Sequence, residues 1–433
     1  MALLTKTAND IFAPYDSAGN AREIMPQDAQ VWGTEVERVI NVSTSDVTVT
    51  VGSGGDFPTI NAAVERLSLL RGPAYKKDGL KTTIMLKAGF VVEEQLVVID
   101  LDMGHLTIAA EDAEVVIRRS VLSQPVDDIY YPAFAALGAN AVLPIIDALF
   151  NMDTSGADPT YRNGIFLSDG ARGHVMPNAG VKNAGGRGLH VANGSSCKAR
   201  SSNFSGAGEA CVRVSNAFVE VRQAVLTGGY KGLMLGALAS VDAEDTNISN
   251  STYAGIENYA SSVRFGNGIA NNCQKAIEQY GGRMEARFAS FDDSVGNAIE
   301  LREGAWANLR SASIERAGER ALLVSSSEAF AGDANLSHAG RDAILAIGGK
   351  VNAPAANLTN AGQLPAGGFA VNAQDGSVVN VQGATGTGAS GEAGNGVSYM
   401  NYNGSTINAN GATGTAGRTV NSLSRMGILY KET

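Results

Sequence analysis

The sequence is poor in the residues that build metal centres and disulfide frameworks. It has three cysteines, Cys197, Cys211 and Cys273, and their spacing is not that of a metal-binding motif. Its four histidines are scattered along the chain. We therefore predict no metal site and no cofactor.

Basic runs and long apolar runs are also missing. The chain has 33 basic and 43 acidic residues, a net charge of −10, and no run of five basic residues, which argues against a general nucleic-acid binder. No stretch of 18 apolar residues exists, so no membrane span is predicted. The first seven residues lack the apolar core and cleavage pattern of a secretory signal, so we expect synthesis in a cytoplasm.

Glycine is abundant, at 52 of 433 residues, and it takes part in a repeat. A small residue followed by a larger, mostly aliphatic one returns every 21–24 residues between positions 164 and 344. The pairs begin at Gly164, Gly188, Ala210, Gly232, Gly255, Ala276, Ala298, Ala321 and Ala343. Each pair is followed by a short alternating segment, a third apolar residue and a corner rich in Asn and Gly, which is typical of short strands in a solenoid.

The repeat length selects among solenoid folds. Leucine-rich repeats have a similar period, but their leucine spacing is missing, and ankyrin and tetratricopeptide repeats are longer and helical. We therefore predict an all-β fold, a right-handed parallel β-helix with rungs of about 22 residues. Successive rungs of such a coil are about 4.8 Å apart.

Two helices are predicted before the repeat. Residues Pro26–Ile40 place Ala29, Trp32, Val36 and Val39 on one face, a stripe that needs a partner in the same chain, in sister chains or in a larger particle. The second helix has apolar residues at helical spacing, and Gly72 closes it: Ile60, Ala63, Val64, Leu67 and Leu70. We predict that this helix caps the open end of the coil. A phosphate site at the glycine-rich turn before it is a weaker alternative, because the Lys-Ser/Thr of a P-loop is missing.

The segment around this second helix carries a family resemblance. Gly-Ser-Gly-Gly-Asp-Phe-Pro-Thr-Ile at 52–60, Ile-Met-Leu-Lys-Ala-Gly at 84–89 and Leu-Val-Val at 96–98 resemble the opening of the pectin lyase-like β-helix superfamily. The similarity is greatest to pectinesterases and bacteriophage tailspikes, and it covers about residues 50–118. The resemblance implies a homotrimer that attaches to a virion by its N-terminus and contacts cell-surface polysaccharide along its shaft.

We divide the chain into four regions on these grounds. They are an N-terminal particle-attachment region at 1–45, a β-helix start with the capping helix and a surface insertion at 46–160, a regular shaft at 161–368 and a Gly-rich tapered region at 369–433. The insertion is expected at 120–160, with a surface excursion at Gln124–Pro132.

The enzymes of the superfamily have sequence signatures that this chain lacks. The Asn-Thr-Asp and Gly-His-Gly of polygalacturonases are absent, as are the Gln-Asp-Thr and Asp-Phe-Ile-Phe-Gly of pectinesterases. The resemblance therefore supports the scaffold and weakens the prediction of an enzyme.

One group of residues could still carry chemistry. Three successive rungs place Glu after the inward aliphatic residue, and Tyr or Arg two positions later: Glu257, Glu278 and Glu300, with Tyr259, Tyr280 and Arg302. All six should point outward, with adjacent carboxylates about 4.8 Å apart, near the spacing of about 5–5.5 Å in retaining glycosidases. Like charges at this distance should raise at least one carboxyl pKa, as a general acid requires.

Three interpretations of this group remain open: a solvated charged face, a sugar-binding face with Tyr259, Tyr280 and Arg302 as contacts, or a catalytic site with Glu257, Glu278 or Glu300 as catalytic groups. We predict a structural spike or tail fibre of a phage or phage-like particle, located in the virion. Its expected partners are two sister chains, other virion proteins and a host glycan. A polysaccharide depolymerase is the first alternative and a bacterial surface adhesin the second.

Overall fold

The computed structural model describes residues 46–68, 81–127, 129–156, 159–362, 364, 367–392, 398–414, 423–424 and 427–431. The predicted helix at Pro26–Ile40 lies outside these ranges, as do Leu70 and Gly72. None of the described helices is long and apolar enough to cross a membrane.

The described chain consists almost entirely of short strands. At its start lie β1 (Val47–Val51), α1 (Ile60–Leu67), β2 (Thr82–Leu86), β3 (Val91–Val92), β4 (Leu96–Ile99), β5 (Leu106–Ala110), β6 (Val115–Ile117), a 3-10 turn (Arg119–Val121), β7 (Tyr131–Leu137), β8 (Ile145–Asp147) and β9 (Leu149–Met152). The next strands are β10 (Arg162–Ser168), β11 (Arg172–His174), β12 (Gly180–Lys182), β13 (Arg187–Ala192), β14 (Ser196–Lys198), β15 (Ala210–Ser215), β16 (Phe218–Glu220), β17 (Lys231–Leu235), β18 (Ser240–Asp242), β19 (Ala254–Tyr259) and β20 (Ser262–Arg264).

The remaining strands continue the same alternation. They are β21 (Lys275–Tyr280), β22 (Arg283–Glu285), β23 (Ile299–Arg302), β24 (Trp306–Asn308), β25 (Leu322–Ser325), β26 (Glu328–Phe330), β27 (Ile344–Ile347), β28 (Lys350–Asn352), β29 (Gly367–Gly368), β30 (Val371–Gln374), β31 (Val378–Asn380), β32 (Gly391–Glu392), β33 (Tyr399–Asn401), β34 (Ser405–Asn408), β35 (Leu423–Ser424) and β36 (Gly427–Tyr430).

These strands form two long sheets. The first long sheet has thirteen strands, from β4 through β7, β10 and β13 to β33, and the second long sheet has thirteen strands, from β11 and β14 to β36 and β35. Each strand of the shaft pairs in parallel with the equivalent strand of the next rung. A third side is a line of single parallel bridges from Asn203 to Thr413. The chain is a right-handed parallel β-helix, and the predicted fold class is confirmed.

The interior is filled by side chains that stack from rung to rung. Ile256 pairs with Ile277, and Ile277 pairs with Ile299, and all three are fully buried. At the corner before each of these rungs, Asn250, Asn272 and Asp293 have φ between 56° and 64°. Asn and Asp tolerate this left-handed conformation better than other non-glycine residues, which explains the polar corners of the repeat.

Helix α1 closes the N-terminal end of the coil, as predicted. Its apolar residues Ile60, Ala63, Val64 and Leu67 are buried. The Glu94 carboxylate accepts hydrogen bonds from the amides of Ile60, at 2.6 Å, and Asn61, at 3.1 Å. Because the Glu94 carboxylate already accepts from these two amides at the positive end of the helix, the amides are not available to a phosphate, which was the weaker alternative for this turn.

The predicted excursion at Gln124–Pro132 is shorter than expected. Val126 and Tyr130 form an antiparallel bridge, and β7 begins at Tyr131, so Pro132 already lies in the first long sheet. At the other end, β30, β31, β33 and β34 extend both long sheets into the Gly-rich region.

The cysteines behave as core residues. Cys197, Cys211 and Cys273 are free thiols and all three are buried. Burial raises the thiol pKa of Cys197 to about 12 and that of Cys211 to about 11. Among the described residues, no group of three or more His, Cys, Asp or Glu side chains could hold a metal ion.

Candidate functional site

The three glutamates form a ladder on the outer side of the first long sheet. Strand pairing places Glu257 beside Glu278, and Glu278 beside Glu300, in strands β19, β21 and β23. Because successive side chains alternate between the two sides of a sheet, these residues point away from the inward isoleucines. We call Glu257, Glu278 and Glu300 the glutamate ladder.

The ladder is not solvated, contrary to the interpretation of a solvated charged face. The side chains of Glu257 and Glu278 are 4% exposed, and that of Glu300 is 3% exposed. Lys231 begins β17 and Lys275 begins β21, and both pair in register with Ala254, which lies on the rung between them. The side chains of the two lysines cover the carboxylates of the ladder. The ladder is therefore a buried ionic network on the outside of the coil.

Each carboxylate of the ladder has a cationic partner. Lys231 Nζ lies 2.7 Å from Glu257 Oε2. Lys275 Nζ lies 2.6 Å from Glu278 Oε1 and 3.3 Å from Glu300 Oε2, so one ammonium bridges two rungs. Such buried carboxylates are stable only when they are paired and hydrogen-bonded.

Neutral donors and a guanidinium complete the network. The hydroxyls of Tyr253 and Tyr280 donate to Glu278 at 2.7 Å and 3.1 Å. Asn297 donates to Glu300 at 2.6 Å, and Arg302 donates to the same carboxylate at 3.1 Å.

The expected rise in a carboxyl pKa is wrong for the middle residue of the ladder. Burial alone would raise the pKa of Glu278, but hydrogen bonds from Lys275 and Tyr253 outweigh burial and lower it below the ordinary value of 4.5. A general acid must hold its proton near neutral pH. Glu278 is ionised there, so its environment suits a base or a structural anion.

Two tyrosines stand beside the ladder and are stacked. Tyr259 and Tyr280 pair in register, with ring centroids 5.1 Å apart and planes inclined by 6°. Arg302 follows in the same register after Tyr280. Tyr259 is 42% exposed, and the side chain of Arg302 is 44% exposed. We call Tyr259 and Tyr280 the tyrosine pair.

A second aromatic stack was not predicted from the sequence. Tyr230 and Tyr253 are stacked at 5.2 Å, and Lys231 Nζ lies 5.7 Å and 5.3 Å from their ring centroids, respectively. The signal was present in the sequence, because Tyr230 and Tyr253 are one repeat apart and each precedes a strand of the first long sheet.

A cationic cluster lies toward the N-terminal end of the same face. Arg187 and Arg213 share the Glu209 carboxylate, at 2.7 Å and 3.2 Å. His190 is buried beside them, and burial together with the charges of Arg187 and Arg213 holds its pKa well below the usual value. The imidazole is therefore neutral at pH 7, and the two guanidiniums carry the positive charge.

Neither a family model nor a curated protein sequence matches this chain. Solved structures do match. The catalytic unit of a GH87 alpha-1,3-glucanase from Streptomyces thermodiastaticus strain HF3-3 superimposes with a TM-score of 0.50 and 15% identity, over 87% of this chain and 71% of the glucanase.

The match to the glucanase supports the β-helix fold. The Dettilon tailspike protein gives a TM-score of 0.35 at 12% identity, over 86% of this chain and 64% of the tailspike. A point mutant of the periplasmic alginate epimerase AlgG gives 0.40 at 6% identity, over 81% of this chain and 76% of the epimerase. At these identities the comparisons concern the fold alone.

Proposed function

We propose that this chain forms the shaft of a spike or tail fibre of a phage or phage-like particle, and that the outer side of its first long sheet binds a polysaccharide of the host surface. The observation that carries the proposal is the tyrosine pair, which is partly exposed and lies beside the buried ionic network of the glutamate ladder. The missing polygalacturonase and pectinesterase signatures favour binding over cleavage.

The physical reason is preorganisation. Aromatic rings present a flat apolar face with a polar edge, which suits the apolar faces and hydroxyls of sugar rings. Tyr280 is held by its hydrogen bond to Glu278, and its ring supports Tyr259 through the stack. Binding to such fixed side chains costs little conformational entropy.

Removing the rings should weaken adsorption without affecting the fold. We expect Tyr259→Ala to reduce binding of the purified chain to host cells by about tenfold, the effect of losing roughly 1.4 kcal/mol. Tyr259→Phe keeps the ring and should bind like the parent. The measurement is the amount of labelled protein retained by host cells as its concentration is varied. Unchanged adsorption of Tyr259→Ala would contradict the proposal.

A depolymerase remains the alternative, because three carboxylates stand in register at about the rung spacing of 4.8 Å. Glu278→Gln separates the two functions in the same set of variants. An enzyme that uses Glu278 would lose reducing-sugar release by about 10²-fold or more while still binding the polymer. We expect no sugar release from the parent. Release by the parent that Glu278→Gln abolishes would favour the depolymerase.

We also propose that residues 1–45, which precede β1, attach the chain to the particle. We expect a chain without residues 1–45 to remain folded and to fail to join the particle, because β1 and α1 follow this region and α1 buries its own apolar residues at the end of the coil. Particles assembled with this truncated chain would be purified and probed for it. Its incorporation at the level of the parent would contradict the assignment.

We further propose a homotrimer. The outer side of β4 and the residues after it expose apolar side chains, with Val97 37%, Ile99 59% and Leu101 55% exposed. Sister chains would remove this apolar surface from water. Sedimentation equilibrium should give three times the chain mass at micromolar concentration, and a stable monomer there would contradict the trimer.

A further inference from the structure

The charges around the ladder are arranged in two layers. All three carboxylates are at most 4% exposed, whereas their cationic partners are more accessible: Lys231 is 12%, Lys275 22% and Arg302 44% exposed. A molecule that approaches this face therefore meets ammonium and guanidinium groups before it meets any carboxylate of the ladder.

The same face has an excess of positive charge. The cationic cluster adds Arg187 and Arg213 but only one carboxylate, Glu209. From Arg187 to Arg302 the ion pairs on this face involve five cations and four carboxylates: Arg187, Arg213, Lys231, Lys275 and Arg302 against Glu209, Glu257, Glu278 and Glu300. This excess stands out in a chain whose net charge is −10.

One face of the tyrosine pair is open toward the N-terminal end of the shaft. Leu235 pairs with Asn258, so the next residue, Gly236, lies one rung before Tyr259. A glycine has no side chain to lie over the Tyr259 ring, while the opposite ring face is covered by Tyr280. A flat ligand ring can therefore contact the open face.

Two arginines lie before and after Tyr259 along the shaft. Arg213 is in register with Met234 and then with Glu257, so it lies two rungs before the rung of Tyr259. Arg302 lies two rungs after that rung, through Tyr280. At about 4.8 Å a rung, the backbone of each arginine is about 10 Å along the axis from that of Tyr259.

We propose that this face binds an anionic polysaccharide that runs along the shaft, with one sugar ring against the open face of Tyr259 and sugar-borne oxyanions paired with Arg213 and Arg302. The inference rests on the polysaccharide-binding function proposed above and adds the charge class of the ligand. Guanidinium groups are well suited to it, because they pair with carboxylate and phosphate through two parallel hydrogen bonds.

The test uses one host polysaccharide in three forms. The capsular polysaccharide or lipopolysaccharide of the host is prepared untreated, after reduction of its sugar carboxylates to primary alcohols, and after removal of its phosphates. Binding of the parent chain to each immobilised form is measured at equilibrium. We expect affinity to fall at least about tenfold in the form that has lost its oxyanion, which also identifies carboxylate or phosphate as the recognised group.

Arginine variants locate the effect on the protein. Arg302→Gln and Arg213→Gln should each weaken binding of the untreated polymer several-fold and reduce its dependence on salt. Arg264→Gln is the matched control, because Arg264 is a 56% exposed, ion-paired arginine on the second long sheet. Circular dichroism and thermal melting of each variant verify that it is folded.

The outcomes separate the two proposals. Equal affinity of the parent for all three forms would overturn the anionic ligand while leaving polysaccharide binding in place. Equal losses in Arg264→Gln and Arg302→Gln would also overturn it. If the parent binds none of the forms, the polysaccharide-binding function itself fails.

Discussion

Replacing Ile277 with Asp is expected to lower the free energy of unfolding by about 3–5 kcal/mol, the cost of a buried and unpaired charge. Ile277 is fully buried, and it lies between Ile256 and Ile299 in the inward stack. The Lys275 ammonium is held by Glu278 and Glu300 on the outer side of the sheet, so we expect it not to pair with the introduced carboxylate. The loss should appear in urea denaturation as a lower midpoint.

The control places the same charge on the exposed side of β20, the strand that precedes β21 in sequence and belongs to the second long sheet. Ser262 is exposed on the outer side of β20, so Ser262→Asp should change the free energy of unfolding by no more than about 0.5 kcal/mol. If Ile277→Asp unfolds at the same urea concentration as the parent and Ser262→Asp, the assignment of the inward register is wrong.

Replacing Lys275 with Met is expected to cost about 3 kcal/mol at neutral pH, the lower end of the range for breaking a buried ion pair. The variant removes the ammonium that bridges Glu278 and Glu300. The cost lies at the lower end because Tyr253 still donates to Glu278 and Arg302 still donates to Glu300.

This cost should depend on pH. In the parent, the pKa of Glu278 lies below 4.5, so the pair stabilises the fold fully above pH 4.5, and the contribution is lost as the pH falls through the lowered pKa. In the Lys275→Met chain, burial favours the protonated form of Glu278, so a lower pH reduces the loss of stability that the substitution causes. The difference between parent and variant should therefore narrow between neutral pH and about pH 4.

Urea denaturation of both chains at the two pH values measures this difference. Lys350→Met on the second long sheet is the matched control, since Lys350 is exposed, and it should have little effect at either pH. Adding Glu278→Gln to Lys275→Met should restore part of the lost stability. A loss that is the same at both pH values and is not reduced by Glu278→Gln would contradict an ionic origin.

The sequence was sufficient to predict the coil and its register. Ile256, Ile277 and Ile299 recur at the repeat length, and a strand alternates its side chains strictly, so the neighbouring glutamates had to form a column. The capping helix followed from its apolar spacing in the same way. Both features depend on interactions that are local in sequence or repeat with a constant period.

The burial of the ladder could not be predicted in this way. It depends on Lys231, Lys275 and Tyr253, which belong to strand starts and corners where the repeat is least regular. Whether a lysine there reaches over a carboxylate or extends into water depends on the path of the corner. The direction of the Glu278 pKa shift follows from those contacts, so reasoning from like charges alone gave the wrong sign.

A crystal structure of the full chain with an oligosaccharide released from the host polysaccharide would show whether that polysaccharide binds the outer side of the first long sheet at the tyrosine pair. We expect a sugar ring against Tyr259, with the sugar chain extending toward Arg302. An ordered oligosaccharide bound only on the second long sheet or at the corners, with the face around Tyr259 free of sugar, would contradict it.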